Sequence, residues 1–228
     1  MSKKLIKNSP TTKGWDWQKN DDERWLIPSH EIHYLSSRWQ NNQSRNFLDL
    51  GCGLGRHSIF MAQNGFQVSA FDISSYGLDI LKNQAQKEDL RIDIQQGDML
   101  KLPFPDHSFD CLLAYHVIHH TDTNGFKKTL SEIERVLKPG GEVYLTLLSK
   151  NSWPFVHRDP QRMIDKNTLL RDEIATERDV PHFFLALEEL ADIFENWQQL
   201  QVPTEIIEYY DNGKFSAHWH LLLKKTTP

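Results

Sequence analysis

The stretch that most constrains this chain is Phe47-Leu48-Asp49-Leu50-Gly51-Cys52-Gly53-Leu54-Gly55-Arg56. A short apolar run ends in glycines at alternate positions, and a helical pattern starts directly behind them. Glycines spaced this way let a backbone turn tightly and approach a ligand with no side chain between. A strand that runs through such a turn into a helix N-terminus marks the ligand edge of an open α/β sheet. The dinucleotide fingerprint wants Gly-x-Gly-x-x-Gly. Here the third glycine comes one residue early, and Arg56 stands in its place. Which ligand the edge holds is therefore open at this point.

From Asn46 onward, strand and helix patterns alternate. Phe47 to Leu50 reads as a buried strand and Arg56 to Asn64 as a helix that Gly65 stops at its C′ position. Phe66 to Phe71 reads as a second strand ending at Asp72. Ser74 or Ser75 caps a helix with Leu78, Leu81 and Ala85 on one face. Ile92 to Gln95 is a third strand, and Phe109 to Tyr115 a fourth. Phe126, Leu130, Ile133 and Leu137 lie on one face of the next helix. Lys138-Pro139-Gly140-Gly141 ends it, and Glu142 to Leu148 is a fifth strand. This alternation predicts parallel strands with right-handed crossovers and helices on both faces. Past a helix bearing Leu187, Leu190, Ala191 and Phe194, strands are expected over about Gln199 to Tyr209 and Lys214 to Leu223. They are joined at Asp211-Asn212-Gly213, a hairpin signal. The fold class predicted is α/β: a Rossmann-like, doubly wound, mostly parallel seven-stranded sheet closed by a C-terminal antiparallel hairpin.

Two regions stand outside the pattern. Residues 1–45 form an N-terminal arm and helix. Residues 1–13 are polar and expected to fray, Trp15, Trp17, Trp25 and Trp39 follow, and Ser29 is the expected N-cap of a helix. Tryptophans this dense either pack the arm onto the domain or form a lid over the ligand edge. Residues 46–228 are the main domain. Within it, residues 150–182 lack clean periodicity, and a connection that long suggests a functional, substrate-side insertion.

The net charge of −5 argues against phosphate neutralisation on a nucleic acid. Two cysteines, Cys52 and Cys111, build no disulfide framework, which suits a reducing cytoplasm. No leader is expected from the polar N-terminus. No apolar run reaches the roughly 18–20 residues a membrane span needs. The expected partner is a small molecule, with the oligomeric state undetermined.

Asp72 ends the second strand about twenty residues beyond the glycines, where a carboxylate accepts both hydroxyls of a ribose. That alone fits NAD equally well. A further acidic site follows the third strand at Gly97-Asp98-Met99. Asp49, Asp72 and Asp98 then lie at three successive strand ends, an edge poorly matched to a pyrophosphate. A ligand with a ribose, a base amino group and a cationic centre suits it better.

At this point the chain resembles a family. Leu48-Asp49-Leu50-Gly51-Cys52-Gly53-Leu54-Gly55 is similar to motif I of the class I S-adenosylmethionine-dependent methyltransferases. Asp72 matches their ribose-binding acid, and Gly97-Asp98-Met99 with Leu102-Pro103-Phe104 their adenine segment. Phe109-Asp110 through Tyr115 resembles the strand bearing the substrate edge, and Leu137 to Gly141 the turn before strand five. The resemblance spans about residues 46–148. Gly55-Arg56-His57-Ser58 resembles the small-molecule branch, of type 11 or tellurite-resistance kind.

The resemblance implies that the backbone from Gly51 through Cys52 and Gly53 to Gly55 makes room for the cofactor's aminoacyl part, with Asp49 supporting the turn and the amino group. It implies that Asp72 binds the ribose, Ile73 packs on adenine, and Asp98 accepts from the adenine amine beside the Met99 backbone. The Tyr115 carbonyl would face the methionine amine, and Arg56 either meets the carboxylate or sits on the surface. Cys52 also reads simply as a small residue in a tight turn.

Methyl transfer from a sulfonium is an in-line displacement in which positioning supplies much of the acceleration. If a base is needed, His116 is the candidate, with His119 and His120 read as helix-start packing. Trp17 in the arm, and Trp153, His157 and Arg158 in the insertion, are the expected substrate contacts. His218 and His220 share one face of the last strand, but no third ligand is evident nearby, so packing is expected and no metal. No Asn-Pro-Pro-Tyr motif follows strand four and no acidic trio suggests a magnesium site. The expected activity is methylation of a small molecule. An NAD-dependent oxidoreductase and a non-catalytic module on the same fold are the alternatives.

Overall fold

In the computed structural model, which describes residues 12–20, 22–171, 176, 178–211 and 213–226, the alternating pattern becomes a doubly wound sheet. The elements are α1 (His30–Asn41), β1 (Asn46–Leu50), α2 (Arg56–Gln63), β2 (Gln67–Asp72), α3 (Ser75–Lys87), β3 (Ile92–Gln96), β4 (Phe109–Ala114), α4 (Thr123–Val136) and β5 (Leu137–Ser149). They continue with α5 (Trp153–Val156), β6 (Met163–Asp165), β7 (Thr168–Leu170), β8 (Pro181–Leu185), α6 (Leu187–Ile193), β9 (Trp197–Gln199), β10 (Thr204–Asp211) and β11 (Lys214–Lys225).

Strands β3, β2, β1, β4 and β5 pair in that order, all parallel. β11 then lies antiparallel against β5, and β10 antiparallel against β11. These seven strands are the expected sheet with its hairpin. Satellites extend it: β9 pairs with the end of β11, and β8 joins the last residues of β5 and carries β7 and β6. β1 pairs with both β2 and β4, so the strand order reverses beside it, and a cleft opens there at the strands' carboxyl ends.

Alternate residues of each strand feed opposite cores. Phe47, Cys111, Leu113, Tyr144 and Leu222 meet Ile32, Leu35 and Trp39 of α1 and Met61 of α2 on one face. Leu48, Leu112, Leu145 and Leu221 meet Phe126, Ile133 and Val136 of α4 on the other. That period of two under helical stripes is what a sheet covered on both faces requires.

Local signals act with some differences. Ser74 and Asp122 cap α3 and α4 by accepting from Gly77 N–H and Gly125 N–H. Ser29 does not cap α1 with its hydroxyl; its N–H instead donates to His57 Nε2 at 3.2 Å. α4 passes directly into β5, and Lys138–Gly141 forms a bulge between the Phe109–Leu137 and Cys111–Glu142 pairs. β10 begins only at Thr204, beyond Pro203, rather than at Gln199. In the hairpin turn Gly213 has φ +85°, and Asn212 lies outside the described residues. The insertion is more regular than its sequence suggests: it forms α5, β6, β7 and the start of β8 around a small core of Leu148, Phe155, Leu169 and Phe184. Residues 1–11 lie outside the described residues, but Thr12 and Lys13 are not frayed, for Thr12 bridges to Thr121.

Candidate functional site

The glycine turn after β1 forms the floor of the cleft. Gly51, Gly53 and Gly55 all take positive φ, at +71°, +55° and +86°, a region L-residues with side chains avoid. Gly51 N–H and Cys52 N–H both donate to the Phe71 carbonyl, which fastens the turn to β2. A Cβ on Gly53 would come within 2.4 Å of the Trp17 indole, so the arm lies directly on the turn.

The three carboxylates have different surroundings. Asp72, buried at the end of β2, accepts from Gly53 N–H and Ser74 N–H on its two oxygens, each at 2.8 Å. Burial raises its carboxyl pKa against those bonds. Asp49 lies below the turn, accepts from Ser58 Oγ at 2.6 Å, and is pushed up to about 7 by burial. Asp98 accepts from Leu100 N–H at 2.9 Å and from the Thr12 hydroxyl at 2.5 Å.

The cavity encloses about 810 Å³ of empty space, part of it open to solvent. The structure brings Gly51, Cys52, Arg56, Asp72, Ile73, Asp98, Met99, Tyr115, His116 and Trp17 to its lining. Gly53 and Gly55 shape the turn beneath, and Asp49 supports it from below through Ser58. Cys52 is a buried thiol whose pKa burial raises well above the ordinary value. Arg56 Nη1 donates to the Arg24 and Ile27 carbonyls at 3.0 Å each, and its guanidinium lies over the Trp25 and Tyr115 rings. It therefore staples the arm rather than standing on the surface.

His116 follows β4 at φ +56° with its N–H on Thr146 Oγ1. Its ring is stacked between Tyr115, at 4.4 Å, and His218, at 4.1 Å. Burial, and next the His218 and Arg56 charges, hold its pKa well below the ordinary value, so the ring is neutral. Its Nε2 is buried with no hydrogen-bond partner. His119 stands beside it, and His120 and His182 pack in turn against His119. His220 is engaged elsewhere, 2.6 Å from the Tyr144 hydroxyl. The third ligand-type group that the sequence does not reveal beside His218 is supplied by the fold: one donor atom each of His116, Glu208 and His218 lies within 4.8 Å of the others.

Trp153, His157 and Arg158 do not line the cavity. Phe155 is drawn into the insertion's own core, which leaves the Trp153 and His157 rings stacked at 4.6 Å beside Lys214 and places Arg158 over Phe155. The insertion meets the site at its other end, where the Arg178 carbonyl accepts from Lys13 Nζ and the Thr176 carbonyl from Asp16 N–H. Residues of the lining to which the sequence assigned no place in the site include Thr12, Gly14, Trp25, His57, Val117 and His120. The tryptophan density pointed to Trp25, but nothing marked Thr12.

Residues 48–145 match the family described as "Methyltransferase domain". A sterol 24-C-methyltransferase of Gibberella zeae is 36% identical over 118 residues, which is 50% of this chain and 30% of that protein. The 27-O-demethylrifamycin SV methyltransferase of Amycolatopsis mediterranei is 35% identical over 101 residues, 43% of this chain and 36% of that one. The chain thus spans about a third of the length of these curated relatives. A S-adenosylmethionine-dependent methyltransferase structure from Methanosarcina mazei superposes with a TM-score of 0.73 at 20% identity, covering 89% of this chain and all of that one. Residues 48–145 thus carry the likeness to the methyltransferase-domain family, and the strand order around them is the fold of the Methanosarcina mazei methyltransferase structure. No helix among the described residues is long and apolar enough to cross a membrane.

Proposed function

We propose that this chain transfers a methyl group from S-adenosylmethionine to a small-molecule acceptor. The observation that carries the reading is Asp72: both oxygens are oriented by backbone N–H groups at the rim of the cavity, one of them from the glycine turn itself. A carboxylate so fixed accepts a ribose diol with little reorganisation. Asp98 and the Met99 backbone receive the adenine amine, Ile73 packs on the base, and the Gly51–Gly55 backbone and Tyr115 carbonyl surround the aminoacyl part. When bound, the cofactor supplies an electrophilic methyl group. The chain's own part is to orient it and to exclude water, which the described arm residues 12–27 do as a lid over residues 46–228. Within the insertion, the Thr176 and Arg178 carbonyls hold that lid.

The acceptor side is bounded by Trp17, Trp25, Tyr115 and His116. That wall favours a flat or apolar acceptor, of the general kind implied by the sterol and rifamycin named for the relatives. His116 is the polar group presented to it. The free thiols Cys52 and Cys111 suit a cytoplasmic protein.

Calorimetry with S-adenosylhomocysteine and NADH tests the reading. Micromolar binding of the former is expected, and Asp72→Asn should weaken it roughly 10- to 100-fold, the value of one or two charge-assisted hydrogen bonds. Binding of NADH alone would establish the oxidoreductase instead. Retained S-adenosylhomocysteine binding, without methyl incorporation from labelled cofactor into any component of a metabolite extract, would favour a non-catalytic module.

A further inference from the structure

We propose that His116, His218 and Glu208 form a binding site for one divalent transition-metal ion at the acceptor end of the cavity. Three separate elements bring them together. His116 lies just beyond β4, His218 is on β11, and Glu208 is on β10, where the Ile206–His218 register puts it one pleat along on the same face. Their donor atoms lie within 4.8 Å of one another. Two imidazoles and one carboxylate are a known catalytic zinc set, with a fourth position left for substrate or water.

A second observation points the same way. Buried polar atoms in folded proteins are almost always paired, and one left over calls for an explanation such as an ion. His116 Nε2 is such an atom. His116 also lines the cofactor cavity, so the trio adjoins the space assigned to the acceptor. Glu208 is half exposed, which leaves an ion a path in from solvent.

Binding requires a small rearrangement. Tetrahedral coordination with bonds of about 2.0–2.1 Å places ligand atoms about 3.4 Å apart, closer than the 4.8 Å limit here. The His116 and His218 rings stack at 12° between planes, whereas a shared ion lies in the plane of each ring it joins. One imidazole therefore turns out of the stack when the ion enters.

The site's chemistry, resting on the methyltransferase reading for its purpose, narrows the acceptor class. A bound cation lowers the pKa of a coordinated thiol or hydroxyl. The acceptor is then a molecule with such a group beside its apolar body.

The test uses the full chain stripped with a chelator and titrated with Zn²⁺ by calorimetry, and with Co²⁺ by visible absorption. One equivalent is expected at micromolar affinity or tighter, with the d–d bands of a four-coordinate site. Glu208→Gln and His218→Ala should each weaken binding at least about tenfold, and His116→Ala should abolish the bands. His157→Ala, a histidine outside the trio, should change neither. Glu208→Gln, at a half-exposed position, keeps the test valid if the histidine variants fold poorly. Zn²⁺ affinity weaker than millimolar, or affinity unchanged in Glu208→Gln, overturns the inference. S-adenosylhomocysteine titrated into the same samples separates the two readings. If it binds where Zn²⁺ does not, only the metal site is overturned; its failure to bind sinks the methyltransferase reading.

Discussion

Asp49 and Asp72 end neighbouring strands of one sheet, yet their surroundings divide them. Asp72 is met by two backbone N–H groups. Asp49 has the Ser58 hydroxyl and lies in the low-dielectric space under the turn, so burial dominates and lifts its carboxyl to about 7. An unfolded aspartate titrates near 3.9. Between about pH 4 and pH 7 the ligand-free native state thus holds a proton on Asp49 that the unfolded chain has lost. Stability from this group therefore falls as pH rises through that window, is level above it, and totals a few kcal/mol at most. Urea melts of the ligand-free protein between pH 4.5 and 8 should show the decline, and Asp49→Asn should flatten it by about 2–3 kcal/mol. The contribution of Asp72, which burial also raises, would remain. An unchanged slope in Asp49→Asn would mean that Asp49 is already ionised in the fold.

Among the elements, the arm and the third strand's exit compete for one acceptor. Thr12 donates to Asp98 Oδ2, and Gly14 presses on Ile73. These are side chains proposed to meet adenine, so in this conformation the arm covers the end of the cavity proposed for it. Removing the Thr12 hydroxyl leaves Asp98 Oδ2 available while Leu100 N–H still orients the other oxygen. Thr12→Ala should then bind S-adenosylhomocysteine about 2- to 10-fold more tightly, the span of one modest hydrogen bond. Weaker binding would instead make Thr12 part of the cofactor site. This element also marks the limit of what the sequence tells. The places of the glycine turn, Asp72 and Asp98 at the cavity were legible because each is set by local geometry: a turn, a strand end, a loop. Tryptophan density made the arm legible as something that must be covered. Which residues it would meet depended on long-range contacts, from Thr12 to Asp98 and from Lys13 to Arg178, and no local pattern encodes these. The same holds for Glu208, a polar residue on a strand until pairing sets it beside His218, and for Trp153, whose proline turn looked like a pocket wall and packs against the hairpin.

For the molecule as a whole, the two ends of the sheet are held differently. At the carboxyl ends of the strands the cavity is closed by an arm attached through a few polar contacts. Nearer the amino end of β5, α1 is fixed by a dense knot. Glu142 accepts from Arg38 Nε and Nη2 at 2.8 and 2.9 Å, from Trp39 Nε1 at 3.0 Å and from Asn42 Nδ2 at 3.3 Å. The carboxylate is 8% exposed and Arg38 27%, so Arg38 regains some water when its partner is lost, whereas the Trp39 indole N–H is left buried. Breaking a fully buried pair costs about 3–5 kcal/mol. With that partial relief, Glu142→Ala should lose about 2–4 kcal/mol in urea unfolding. The arm enters the domain through α1, and Ser29 N–H at its start is tied to His57 beside the cavity. If the sheet and α1 unfold together and the arm moves independently, Glu142→Ala will unfold earlier while its folded fraction binds S-adenosylhomocysteine within about twofold of the parent. If affinity instead falls in step with stability, α1 and the lid are one cooperative unit, and closure of the cavity is coupled to the packing of the opposite end of the sheet.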